Sequence, residues 1–209
     1  MKIRAVLFDY GMVLSQPAQP AAHAELLAIS GIDHDKFEEL YWKYRMDYDR
    51  ATLDKVSYWE TIARDAGTKF TPEQIDALNA ADIRMWTGLD DAMVRWVQQL
   101  QRSGWKTGIL SNICSTLVEW MLQNFLWLKG FTHCCWSCEL KLVKPEREIF
   151  VRTVTALGVK PEEVLFLDDR EENVEGAKAA GLHAIQFTTL EALTPKLAEY
   201  GVPGPKNHD

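Results

Sequence analysis

Six side chains and one glycine in this chain have the types and placement to do chemistry together. Asp9 follows the apolar run Val6-Leu7-Phe8, and Gly11 stands two positions later. Ser111 and Asn112 follow Gly108-Ile109-Leu110, and Asp168 and Asp169 follow Val164-Leu165-Phe166-Leu167. Lys144 precedes Pro145 and a segment of helical periodicity. A carboxylate just past the C-terminal end of a buried parallel strand lies where open α/β sheets bind ligands. One carboxylate, one hydroxyl, one lysine and a carboxylate pair suffice for phosphoryl transfer on a metal ion. A phosphate monoester is anionic, so its catalyst must neutralise charge and fix an in-line geometry. Taken singly, each residue has a plainer reading. Asp9 and Ser111 fit turn chemistry, Asp168-Asp169 fits a helix N-cap beside a favourable dipole, and Lys144 fits a solvated charge. The chemical reading depends on their occurring together at strand ends.

The elements that must position them alternate. Apolar runs at Ile3–Phe8, Lys106–Leu110, Phe131–Trp136, Val164–Asp168 and His183–Phe187 read as strands. Helical stripes separate them, with Met93, Val94, Val97 and Leu100, then Leu117, Val118, Met121, Leu122 and Phe125, then Ile149, Phe150, Val154 and Leu157 facing inward. Helices are also expected over Glu171–Ala180 and Leu190–Tyr200. The alternation predicts an α/β fold, a Rossmann-like doubly wound parallel sheet of five strands. One segment breaks the pattern. From Pro17 to Trp86 every signal is helical: a short helix stopped by Gly31, then helices capped by Asp33, Asp54 and Thr71, the last with Pro72 and Gln74 completing a capping box. Val56, Trp59, Ile62 and Ala63 should face inward in the third. This predicts a helical-bundle cap over 16–86, inserted into a core domain formed by 1–15 and 87–209. The tail Gly201–Asp209 should fray.

Composition bounds the function. The 209 residues carry 47% hydrophobic and 25% charged side chains and a formal charge of −7. That is an ordinary globular composition, and no basic patch recruits nucleic acid or an acidic membrane. No run is long and apolar enough to span a bilayer. The N-terminus enters strand-like sequence directly, without a signal segment, so a cytoplasmic protein is expected, as monomer or homodimer. Of the cysteines Cys114, Cys134, Cys135 and Cys138, the last three invite a zinc or redox reading through Cys135-x-x-Cys138. A second ligand pair and an activating helix start are both missing from the pattern. They read as small apolar residues on a buried strand. The histidines do not cluster and receive no role.

Taken in order, Phe8-Asp9-Tyr10-Gly11, Leu110-Ser111-Asn112, Val143-Lys144-Pro145-Glu146-Arg147-Glu148-Ile149-Phe150 and Phe166-Leu167-Asp168-Asp169-Arg170-Glu171-Glu172-Asn173-Val174 resemble the four motifs of the haloacid dehalogenase (HAD) superfamily. The resemblance runs from about Ile3 to Phe187 and is strongest to the small-cap phosphatases, in a branch like the bacterial α-D-glucose-1-phosphatases. It implies hydrolysis through an aspartyl-phosphate on Asp9 and a Mg²⁺ ion held by oxygen donors. Asp9, the Gly11 carbonyl and Asp169 would be the ligands, with Asp168 acting through water or as an orienting group. Ser111 and the Asn112 N–H would donate to a phosphoryl oxygen. Lys144 would pair with Asp9 and the phosphoryl group, and Asn173 would steady the acidic loop. In the cap, Tyr41, Trp42, Tyr44, Tyr48, Tyr58 and Trp59 have core spacing, those left over shaping a pocket, and Arg45 is placed to reach an anionic substrate.

Gly11 departs from that pattern. Most phosphatases of the superfamily carry an Asp there, which protonates the leaving oxygen. Three readings follow: a leaving group that needs little help, such as an anomeric sugar oxygen; a cap carboxylate, Asp47 or Asp49, reaching in; or a halide. The superfamily's dehalogenases also lack that Asp, but they tend to carry an aromatic residue at the position of Gly11 and lack an acidic pair like Asp168-Asp169. The resulting expectation is a Mg²⁺-dependent phosphatase of a small phosphorylated metabolite, a sugar phosphate in the first instance. A metal-free dehalogenase and a non-catalytic relative binding a phosphorylated ligand or a protein are the alternatives.

Overall fold

A computed structural model describes residues 2–205. Its centre is a parallel sheet of five strands, β1 (Ala5–Phe8), β2 (Lys106–Ser111), β3 (His133–Trp136), β4 (Val164–Asp168) and β5 (His183–Gln186), in the order β3-β2-β1-β4-β5. β1 is central. Its neighbours β2 and β4 lie on opposite sides, Leu7 facing Gly108 on one and Phe166 on the other. The chain therefore reverses its direction of sheet growth between β1 and β4, the point at which such sheets open a crevice. Successive β1 side chains serve opposite faces. Val6 and Phe8 join one apolar cluster, Ala5 and Leu7 another. The first strand is shorter at its N-terminus than the apolar run, and the third begins at His133 rather than Phe131.

Between β1 and the core helix α5 (Asp91–Arg102) lie four helices, α1 (Pro20–Ser30), α2 (His34–Asp49), α3 (Lys55–Asp65) and α4 (Pro72–Met85). Their caps are those the sequence signals. Asp33 accepts from the Asp35 and Lys36 amides, Asp54 from Ser57, and Asp90 from Met93, while Thr71 and Gln74 form a reciprocal capping box. The chain enters and leaves this segment along paired connectors. Gln16 N donates to Gly88 O at 2.9 Å and Asp90 N to Leu14 O at 2.9 Å, flanking an antiparallel bridge between Ser15 and Leu89.

The remaining helices are α6 (Ser115–Asn124), α7 (Ser137–Leu140), α8 (Arg147–Leu157), α9 (Glu171–Ala179) and α10 (Leu190–Leu197). Four expectations are corrected. Val56 is 42% exposed and Tyr58 takes the inward position on α3. Val56 lies in the first turn, before the stripe begins to face its partners. Leu122 is 55% exposed. It is about 100° around the helix from Met121, on the side turned away from the core. Cys138 lies on α7 instead of a strand, directly after Cys134 and Cys135 on β3. The tail is docked as far as it is described: Val202 is buried, and the Trp96 indole donates to Pro203 O at 2.9 Å. Residues 206–209 of the expected fraying segment lie outside the described residues.

Candidate active site

Asp9 leaves β1 with its amide bound to Leu167 O at 2.8 Å, so the ends of β1 and β4 are pinned together. The turn that follows is tight. Met12 takes φ 58°, a left-handed value uncommon for a side chain with Cβ, and its amide donates to Ser15 Oγ at 3.1 Å. Asp9 Oδ1 accepts from the Tyr10 amide at 2.7 Å and from Lys144 Nζ at 2.9 Å. Among the described contacts, Oδ2 has no protein hydrogen bond.

Lys144 is the hinge of the site's electrostatics. It is 1% exposed, with Nζ 2.6 Å from Asp168 Oδ2 as well as 2.9 Å from Asp9. A buried ammonium is costly unless paired and hydrogen-bonded, and here two carboxylates surround it. Burial opposes its charge, but Asp9 and Asp168 outweigh burial and hold its pKa above the ordinary lysine value. Its backbone is clamped from the end of β2: Lys144 N donates to Asn112 Oδ1 at 2.8 Å and Asn112 Nδ2 donates to Lys144 O at 3.0 Å. On the far side α9 presses against Pro145. A Cβ on Gly176 would stand 2.6 Å from Pro145 Cβ, so only glycine permits the approach.

Asp168 is fully buried and its oxygens are occupied. Oδ1 accepts from the Arg170 amide and Asn173 Nδ2, both at 2.9 Å, and Oδ2 from Asn173 at 3.1 Å and Lys144 at 2.6 Å. Both oxygens are thereby committed to Lys144 and to the start of α9. Asp169 is half-buried and open to the cavity. One carboxylate oxygen from each of Asp9, Asp168 and Asp169 lies within 4.8 Å of the other two. Burial, only partly offset by Lys144, pushes the Asp9 carboxyl up to about 7, with Asp168 and Asp169 adding to the rise. Burial followed by Asp168 raises Asp169 as well.

These groups open into a cavity of about 530 Å³. Ser111 and Asn112 from the end of β2 line it beside Gly11 and Asn173. The insertion supplies the other side, with Trp42, Arg45, Met46 and Asp49 from α2 and Trp86 just after α4. Of the cap aromatics, Tyr41, Tyr48, Tyr58 and Trp59 are buried in the bundle and Trp42, 53% exposed, is left for the cavity. Arg45 reaches the cavity wall, but it is not the unpartnered cation that an anion-binding role suggests. Its Nε donates to Asp49 Oδ1 at 3.0 Å, and Nη1 donates to Tyr41 Oη at 2.6 Å and to Asp82 Oδ1 at 2.9 Å. A buried guanidinium requires such partners. The sequence signals the Arg45–Asp49 pair through its i,i+4 spacing, whereas Asp82, which is fully buried on α4, has no local signal. Asp47 is exposed, accepts from Thr52, and lies away from the cavity.

The cysteines are all free, and burial pushes the thiols of Cys134 and Cys138 up to about 12. Among the described residues the only cluster of possible metal ligands is Asp9-Asp168-Asp169.

Comparison with known proteins follows the same lines. The chain is 26% identical over 196 residues to glyceraldehyde 3-phosphate phosphatase of Methanopyrus kandleri, covering 88% of this chain and 84% of the relative. It is 31% identical over 209 residues to pyrophosphatase PpaX of Bacillus cereus, covering 93% and 91%, and 23% identical over 199 residues to (S)-2-haloacid dehalogenase 1 of a Pseudomonas species, covering 90% and 86%. A solved HAD family enzyme of Bacteroides thetaiotaomicron, in complex with magnesium and inorganic phosphate, superposes with a TM-score of 0.71 at 21% identity, over 89% of this chain and 94% of that one. The sequence pattern of the haloacid dehalogenase-like hydrolases matches residues 3–181. That span holds Asp9, Ser111, Lys144, Asp168 and Asp169 together, and the chain belongs to the haloacid dehalogenase-like hydrolase family.

Proposed function

We propose that this hydrolase cleaves the phosphate monoester of a small metabolite, using Mg²⁺ and an aspartyl-phosphate formed on Asp9. The observation that carries the reading is the set of three carboxylates within 4.8 Å, facing a single lysine at the floor of the cavity. Hard oxygen donors with a negative excess fit a small divalent cation. Asp9, the Gly11 carbonyl and Asp169 would hold it, while Asp168 keeps Lys144 in place. When bound, the ion supplies the positive charge that lets a carboxylate approach an anionic phosphoryl group.

The chain's own groups divide the remaining work. Lys144 and the Tyr10 amide hold Asp9 Oδ1, which leaves Oδ2 to attack phosphorus. Because the Asn112 side chain is committed to the Lys144 backbone, its N–H and the Ser111 hydroxyl are the donors for the equatorial oxygens. The acidic cluster favours this reading over metal-free dehalogenation, although a dehalogenase is among the relatives.

Sugar phosphates are the metabolite class implied by the resemblance to the glucose-1-phosphatase branch. A second reading, an apolar or aromatic leaving group, is supported by the cavity's wall of Met12, Trp42, Met46, Trp86, Ile113 and Leu117. A panel of sugar, aryl and nucleoside phosphates, with 2-chloropropionate as a halide donor, decides between them when run in Mg²⁺ and in EDTA. Phosphate release that needs Mg²⁺ and disappears in Asp9→Asn is the expected result. Halide release that persists in EDTA would overturn the reading.

A further inference from the structure

An alkoxide is a poor leaving group, and the oxygen that departs from phosphorus needs a proton. Position 11 cannot supply one, since it is glycine. The carboxyl groups lining the cavity are Asp9, Asp49 and Asp169. On the proposed phosphatase reading, Asp9 is the nucleophile and Asp169 a metal ligand. Asp168 is fully buried with both oxygens engaged. That leaves Asp49.

Asp49 is more firmly placed than a residue of an overhanging cap would be. It is the last residue of α2, and that end of the helix is attached to the catalytic floor at two points. The Asp49 carbonyl accepts from Ser137 Oγ at 2.6 Å, and the same Oγ accepts from the Ile113 amide at 2.8 Å, next to Ser111 and Asn112. One residue on, Arg50 makes a two-pronged ion pair with Glu146, at 2.6 and 3.1 Å, on the loop that carries Lys144. The Asp49 side chain is held by a single contact, Oδ1 to Arg45 Nε at 3.0 Å, and its second oxygen carries no protein hydrogen bond among those described. Arg45 is itself locked by Asp82 and Tyr41.

We propose that Asp49 is the general acid of this enzyme, delivering to the leaving oxygen the proton that Gly11 cannot. As Asp9 Oδ2 bonds to phosphorus, the bond to the leaving oxygen breaks and its electron pair goes to that oxygen. The Asp49 carboxyl protonates it, releasing the alcohol and leaving a carboxylate beside Arg45. In the second half a water attacks the phosphorus of the aspartyl-phosphate. Asp49 takes the water's proton, Asp9 departs as the carboxylate, and the acid is regenerated. Its surroundings suit both roles. Burial pushes the Asp49 carboxyl up to about 6, against the pull of Arg45, with Asp82 adding to the rise and Lys144 opposing it. Tyr58, Cys114 and Cys138 are the other titratable groups facing it.

The test compares an alkyl with an aryl phosphate, because a phenolate leaves with little help. Phenethyl phosphate and 4-nitrophenyl phosphate serve. In Asp49→Asn, kcat/KM, which runs only through departure of the alcohol and so excludes the hydrolytic half shared by both esters, should fall by ~10²–10⁴-fold on the alkyl ester, the usual worth of a positioned acid, and by less than about tenfold on the aryl ester. Adding Gly11→Asp to that variant should recover alkyl turnover, since a Cβ at position 11 meets nothing within 4 Å. Equal losses on both esters would make Asp49 a structural residue and overturn the proposal. If Asp49→Asn does not fold, the pH profiles of the unaltered enzyme decide. Alkyl kcat/KM should decline with rising pH where aryl kcat/KM does not, and superimposed profiles would overturn the proposal. Failure of the phosphatase reading looks different, as absence of turnover on both esters or turnover that survives Asp9→Asn.

Discussion

At the scale of residues, the site is organised by one ammonium shared between two carboxylates, with a third carboxylate beside them that lacks such a contact. The consequence is a pH dependence of a particular sign. The Asp9 carboxyl is raised in the folded protein from 3.8 to about 7, so the fold holds its proton more tightly than the unfolded chain does. The stability this contributes is complete below about pH 4 and is lost as pH rises through about 7. Asn mimics the protonated form. The metal-free Asp9→Asn variant should therefore melt above the unaltered protein, by a margin that widens from pH 5 to pH 8, and Mg²⁺ should reverse the order at pH 8 by binding the carboxylate form. Melts in EDTA and in Mg²⁺ check this, and a margin that shrinks with pH would show the carboxyl to be lowered. Asp9, Lys144 and Asp168-Asp169 were legible in the sequence because strand ends and a proline mark them. Asp82 and Ser137 were not, because their partners are remote in sequence and only the packed helices bring them together.

At the scale of elements, the C-terminal end of α2 is tied to the loop that carries Lys144. The Arg50–Glu146 pair is partly exposed, with side-chain exposures of 26% and 38%, and a pair of this kind contributes about 1 kcal/mol or less. Arg50→Ala should therefore lower Tm by no more than about 2–4 °C. It should lower kcat/KM on alkyl phosphates by about tenfold, because it loosens the helix end that presents Asp49 to the Lys144 loop. A melt beside a kinetic assay separates the two effects, and unchanged kcat/KM would show that Ser137 anchors the helix alone. Helix starts were the most legible elements. Asp33, Asp54, Thr71 and Asp90 cap by local chemistry that any four-residue window contains. Helix faces were less so. Periodicity does not choose between adjacent apolar residues such as Met121 and Leu122, and the choice is made by what packs opposite.

At the scale of the molecule, the helical segment over 16–86 divides the chain topologically, but the apolar core does not follow that division. One cluster runs from Val6 and Phe8 on the sheet through Val97 and Met121 into Leu26, Phe37, Trp59 and Leu78. Unfolding should accordingly be a single transition, coincident by near-UV and far-UV circular dichroism, and an early loss of helical signal alone would mark the segment as an independent unit. The Trp96–Pro203 contact was invisible in the sequence for a related reason, since glycine and proline in a tail signal flexibility while the partner indole lies 107 positions away. The same long-range assembly sets Trp42 and Trp86 edge to face, 6.5 Å between ring centres, on the cavity wall. Two indoles on the cavity wall make the protein its own optical probe: whatever fills the cavity displaces water from rings whose emission responds to solvent, so occupancy can be followed in light without a label and before any bond is broken.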